Sequence, residues 1–318
     1  MQAVATSGRW IWSLSGLVTT AALVVSGTHL ITSAGQADYA QPHSVAIRTV
    51  TVPQPVTSLA VQSYGAPVQV TAGPVRYVQV TETLMYDQPA GNQSAEPQSA
   101  AASPADGPLG GPPAGPKPAP GAPLSGPPAV VQSVSGGHLS LSDPACADSG
   151  CSVSFAVTVP PGVTVTAVTD GGPVTVSGIA GANLDSGGGP VRATTIGGPL
   201  TVSTDGGSLM LDGLAGPLRA DTGGGPLIAQ GVAAATATVI TGGGDARVAF
   251  SAAPDTVVVS TDGGPATLVV PGGPYALTAS DDGGPAPSVR IATDTAARRS
   301  ITVSTGGGPL WIEPSPSR

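Results

Sequence analysis

Lysine occurs once in the 318 residues, at Lys117, and cysteine twice, at Cys146 and Cys151. Charged residues make up 9% of the chain and aromatics 3%. Each scarcity excludes something. With 19 acidic against 11 basic residues and no Lys/Arg stripe, the chain lacks the electrostatic footprint of a nucleic-acid binder. The three histidines, His29, His43 and His138, are remote from one another, and no GxSxG, HExxH or P-loop occurs. No base–nucleophile pair can be built from such material, so neither an enzyme nor a resident cofactor is expected. Two cysteines cannot make a disulfide framework. A local Cys146–Cys151 bridge is the candidate they leave, with a pair of free thiols as the alternative.

Charge is also missing from residues 10–31, WIWSLSGLVTTAALVVSGTHLI. At ~1.5 Å per residue such a helix spans about 33 Å, the thickness of a hydrocarbon core. Arg9 and the α-amino group flank it with no acid before it, so the positive-inside rule places residues 1–9 in the cytoplasm and the rest outside. The expectation is a single-pass membrane protein that contacts the lipid bilayer through a transmembrane helix over 10–32, followed by a linker over 33–44. A cleaved signal peptide ending at Thr32-Ser33-Ala34 is the competing reading. Both imply export, and an oxidising compartment would favour the cysteine bridge.

What the chain has in abundance is glycine, 46 residues, and proline, 34. Residues 45–87 alternate Val, Ile, Thr and Tyr with polar residues and read as β-strands with one buried face. Residues 88–129 lose that alternation in a Pro/Gly/Ala-rich segment with no face to bury, an insertion or a linker. From 130 to 314 glycine becomes punctuation. Doublets begin at 171, 188, 206, 224, 243, 263, 283 and 307, at gaps of 17, 18, 18, 19, 20, 20 and 24, with weaker turns at Gly197-Gly198 and Gly216 halving two of them. Each turn is followed by a short unit such as GGPVTVSG or GGPLTVST, whose alternation turns Leu209 and Leu211, or Leu200 and Val202, inward. Such units are too short to bury an apolar side alone and must stack. Proline after the glycines suits the first residue of a strand. The expected fold class is all-β, a single-stranded β-solenoid-like repeat domain with short rungs behind one transmembrane helix. An antiparallel meander is the alternative, and residues 315–318 form a tail.

The ordered series VTVPPGVTVTAVTDGGPVTVSG at 157–178, TDGG at 204 and 261, and TGGG at 222, 241 and 305 resembles the bacterial putative adhesin domain family. This chain departs from that pattern in placing proline where the family has Asp after the glycines, Asp surviving there only at Asp245. The resemblance implies an extracytoplasmic β-repeat domain, commonly actinobacterial and behind a membrane segment, with no assigned site.

Asp170, Asp185, Asp205, Asp221, Asp262, Asp281 and Asp282 precede glycines. Asp-Gly is favourable turn chemistry, and calcium shared between stacked turns is the second reading. Residue types suited to recognition are few in the repeats: Tyr275, Trp311, Arg192, Arg219, Arg247 and Arg290. Trp311 is expected to cap the terminal rung. The function expected is a non-catalytic, membrane-anchored surface module contacting an envelope or surface component. A structural envelope scaffold is the alternative, followed by a calcium-binding repeat or a secreted soluble form.

Overall fold

The computed structural model describes residues 43–87, 129–147 and 150–316, which fall within one compact unit, Gln41–Arg318. The expected membrane segment at 10–32, its flanking tail and linker, and nearly all of the insertion at 88–129 lie outside the described residues.

Four strands precede the insertion: β1 His43–Val52, β2 Ser58–Ser63, β3 Val68–Ala72 and β4 Val78–Asp87. Five follow it before the regular repeats: β5 Val131–Ser135, β6 His138–Ser142, β7 Ser152–Val159, β8 Thr164–Thr169 and β9 Val174–Ser177. The repeats then supply β10 Gly181–Asp185, β11 Val191–Ile196, β12 Leu200–Ser203, β13 Leu209–Leu214, β14 Leu218–Asp221 and β15 Leu227–Val232. They continue with β16 Thr236–Ile240, β17 Ala246–Phe250, β18 Thr256–Ser260 and β19 Ala266–Val270. Last come β20 Ala276–Ser280, β21 Ser288–Val289, β22 Ser300–Ser304 and β23 Leu310–Pro314.

These strands form two sheets. Sheet 1 has the order β1-β4-β7-β3-β9-β11-β13-β15-β17-β19-β23-β21, and sheet 2 the order β20-β22-β18-β16-β14-β12-β10-β8-β2-β6-β5. Successive nine-residue units alternate between the sheets, so the chain returns to the same sheet one place along after a full period. Leu209 therefore pairs in parallel with Val191 on one side and Leu227 on the other. Each strand has one apolar face, and the two sheets cover each other's. Val174, Val176, Leu200, Val202, Leu209, Leu211, Leu227 and Ala229 all enter one hydrophobic core, whereas Thr201 and Arg219 are exposed.

The expected fold class is corrected in two respects. The chain builds two open, mixed sheets instead of one single-stranded solenoid: β1–β4, β4–β7 and β5–β6 are antiparallel. For β5–β6 the reason is local. Gly136 and Gly137 between β5 and β6 have φ of 57° and 80°, the pair of left-handed residues that closes a two-residue hairpin. The second correction concerns the transmembrane helix: among the described residues no helix is long and apolar enough to cross a membrane. In addition, stacking begins well before the first glycine doublet, because β2 and β3 already pair in parallel with β8 and β9.

Both ends of the stack are intercalated. β2 lies between β6 and β8, and β3 between β7 and β9, so a rung made early in the chain is held two places in from the edge of sheet 2 and three from that of sheet 1. At the other end β22 lies between β18 and β20, and β23 between β19 and β21.

The corners explain the T-x-G-G spelling. Thr169, Ser186, Thr204, Thr222, Thr241 and Thr261 are buried, and each hydroxyl donates to the carbonyl of the glycine three residues on at 2.5–2.8 Å. That glycine has no room for a side chain: a Cβ on Gly225 would stand 2.2 Å from the Gly207 carbonyl oxygen. The following proline loses no needed donor, since its carbonyl still accepts from the neighbouring strand, as from Leu209 N to Pro226 O at 2.9 Å.

Candidate functional site

Alternation that buries Leu209 and Leu211 must turn Met210 out, and parallel pairing repeats that consequence on every neighbouring strand. On the outer face of sheet 1 the register aligns Arg192, Met210, Ile228, Arg247, Thr267 and Trp311 on six adjacent strands. At ~4.8 Å between strands the column is about 24 Å long. Met210, Ile228 and Trp311 are 46%, 37% and 39% exposed. The Arg192 guanidinium rests on the Met210 sulfur. A second column beside it carries Thr194, Asp212 and Gln230. Between the two columns Arg192, Met210, Asp212, Ile228 and Gln230 line a shallow depression of about 210 Å³.

This face brings together three of the six residues that composition singled out, Arg192, Arg247 and Trp311. Trp311 is not a terminal cap: β21 lies beyond its strand, and its side chain points outward because Leu310 and Ile312 point in. Arg290 lies 3.7 Å from Glu313 near the same end. Arg219 sits on the opposite sheet, in a column dominated by Thr166, Thr201, Thr238 and Thr302. Tyr275 is fully buried, its hydroxyl donating to the Pro271 carbonyl at 2.9 Å, and is unavailable to any ligand. Met210 and Ile228 carry no compositional signal, being ordinary apolar residues in a strand. The inward alternation already implied both.

The recurring aspartates are turn residues. The Asp185, Asp221 and Asp281 carboxylates accept from the amides of Gly187, Gly223 and Gly283 at 3.2, 3.2 and 3.5 Å. Asp262 and Asp282 occupy left-handed backbone, φ 45° and 47°, which Asp tolerates better than most residues. Among the described residues no cluster of three His, Cys, Asp or Glu side chains can hold a metal ion.

The other chemistry gathers at the β1/β5 end. Cys146 and Cys151 are joined as a disulfide with Cα atoms 5.1 Å apart. Just before it, Asp143 is fully buried and neither carboxylate oxygen completes a hydrogen bond. Burial pushes its pKa up to about 6, only partly offset by the nearby backbone amides of its own residue, Tyr64 and Val153. Glu82, 1% exposed on the inward face of β4, is likewise raised by burial, with Arg48 opposite it pulling the other way. An apolar groove of about 740 Å³ runs along Phe250, Val269 and Pro271, with Ser315 in its wall donating to the Phe250 carbonyl at 3.2 Å. It has no charged side chain in its wall.

No protein-family model and no curated protein matches the chain. Two solved structures match the chain at low identity. A putative adhesin from Bacteroides fragilis is 12% identical over 86% of this chain and 97% of that one, with a TM-score of 0.43. A putative cell adhesion protein from Clostridium sporogenes is 10% identical over 86% and 100%, with a TM-score of 0.23. Likeness at this level assigns no function to this chain.

Proposed function

We propose that the chain is a non-catalytic recognition module acting outside the cytoplasm, with the outer face of sheet 1 binding an extended component of the cell envelope or of another surface. The observation that carries this reading is the Arg192–Met210–Ile228–Arg247–Thr267–Trp311 column. Arginine and tryptophan are the residue types enriched in binding hot spots, and here they flank exposed aliphatic side chains on a rigid, regularly spaced platform. Stacked repeats present such extended surfaces by construction. The disulfide supports an oxidising location, since such bonds persist outside the cytoplasm.

The test pairs two double variants in a binding assay against purified cell-envelope fractions. Met210→Glu with Ile228→Glu should reduce retention at least tenfold, with the thermal melt unchanged because both side chains already meet water. Thr201→Glu with Thr238→Glu, on sheet 2, should retain binding. Equal retention by all forms would favour a scaffold without a specific ligand. Protease added to intact spheroplasts should digest the described domain, and full protection would contradict the location.

A further inference from the structure

We infer that the chain self-associates through β1, a second copy pairing antiparallel with it about a two-fold axis at Ile47, so that sheet 1 runs continuously through both molecules. The four edges of the two sheets differ in ways that point to this one. Edge strands β21, β20 and β5 are two, five and five residues long, and β1 is ten. Short edges offer little to pair with, whereas a long flat one is a template for another strand. β1 pairs with β4 over all ten positions without a bulge and contains neither proline nor lysine; its one charged residue within the ladder, Arg48, stands opposite Glu82 of β4. At the opposite end of sheet 2, Tyr275 next to β20 is bonded through its backbone to Ala292 and Asp294 of the following loop.

Side chains favour the same edge. Ile47 is 70% exposed, the highest value for a large apolar residue in the described chain, and Val45 follows at 60%. Met85, paired with Val45 across the ladder, is 45% exposed, so the three form one apolar patch on the outer face at the very edge. Sheet 1 extends two strands beyond β7, and sheet 2 only one beyond β6, which leaves β1 with no strand facing it.

Among possible occupants a second copy fits the register. Centring the two-fold on Ile47 sets Ile47 against its own counterpart and Val45 against Thr49 of the other copy. It also sets Arg48 against Ala46, so the strand's arginines do not meet head-on. Nine residues then overlap over about 30 Å, burying on the order of 500 Å² per copy. That total, roughly 1,000 Å², stands at the threshold for a specific interface and suits a weak, reversible dimer.

Sedimentation velocity of the full chain over a hundredfold concentration range tests the inference. A monomer–dimer equilibrium is expected, weakened at least tenfold by Ile47→Lys. Circular dichroism melts of both forms should superpose, since the side chain is exposed. Register is tested by oxidative cross-linking. Ile47→Cys should give a disulfide-linked dimer, and Thr51→Cys, two strand repeats from the axis, should not. A monomer at every concentration overturns the inference. So does a dimer indifferent to Ile47→Lys, equal cross-linking by both cysteine variants, or a monomer that loses only vesicle or envelope binding on Ile47→Lys. Because Ile47 is remote in register from Met210 and Ile228, failure here leaves the proposed binding face standing.

Discussion

Two single residues carry strain or charge that the rest of the fold holds in place. Thr195 has φ of 55° at a corner where its equivalents one rung either side, Gly178 and Gly213, are left-handed glycines, as is Gly231 beyond them. A β-branched residue there is an outlier. Thr195→Gly should therefore stabilise the domain by about 0.5–1 kcal/mol in denaturant titration, the relief of strain exceeding glycine's unfolded-state entropy. Asp143 acts through pH. Its folded pKa is raised from 3.8 to about 6, so between those values the folded state holds a proton that the unfolded state has released. Stability contributed by the neutral carboxyl is present below about pH 4 and is lost as pH rises through 6, by about 2–3 kcal/mol. Glu82, shifted the same way, adds to the trend. Denaturant melts at pH 4, 5, 6 and 7 should show this fall, and Asp143→Asn should flatten much of it.

At the scale of the strand and its corner, Gly225→Ala should cost at least about 3 kcal/mol, because the new methyl meets carbonyl oxygens of Gly207 and Gly206 at 2.2 and 2.5 Å and backbone must move. Leu211→Asp, burying a carboxylate with no partner, should cost several kcal/mol, whereas Thr201→Asp on the exposed set should cost under ~1 kcal/mol. Urea titrations of the purified variants check both contrasts. Alternation and period were legible in the residues because each has a one-dimensional signature: Leu209 and Leu211 flank Met210, and 18 residues later Leu227 and Ala229 flank Ile228. The antiparallel cap was not legible. Nothing in HSVAIRTVTV says that it reverses direction against residues 78–87 instead of stacking, since both arrangements bury the same face. The buried Thr of each T-x-G-G corner was likewise hidden, because a threonine next to glycine reads as turn polarity until the neighbouring rung closes over it. The column on sheet 1 was half legible: Arg192, Arg247 and Trp311 stood out as residue types, but their alignment with Met210, Ile228 and Thr267 depended on which nine-residue units shared a sheet.

For the whole molecule, the strands on either side of the insertion belong to the same two sheets, β4 pairing with β7 and β2 with β6 and β8. Deleting 92–124 removes none of these pairings, so the thermal midpoint should stay within a few degrees, as calorimetry would show. The intercalated ends bear on a different quantity, resistance to tension. A pull on the chain beyond β23 acts on a strand whose hydrogen bonds run to neighbours on both sides, β19 and β21, and behind it β22 is gripped by β18 and β20. Two ladders must fail together before any length is released. A pull from the other terminus first peels β1, which has one neighbour, and is then arrested at β2 and β3, each clamped between two strands. A tether under load would thus yield one strand from its amino side as slack and hold the remainder closed. Extension traces should show a short early step there and none from the carboxyl side.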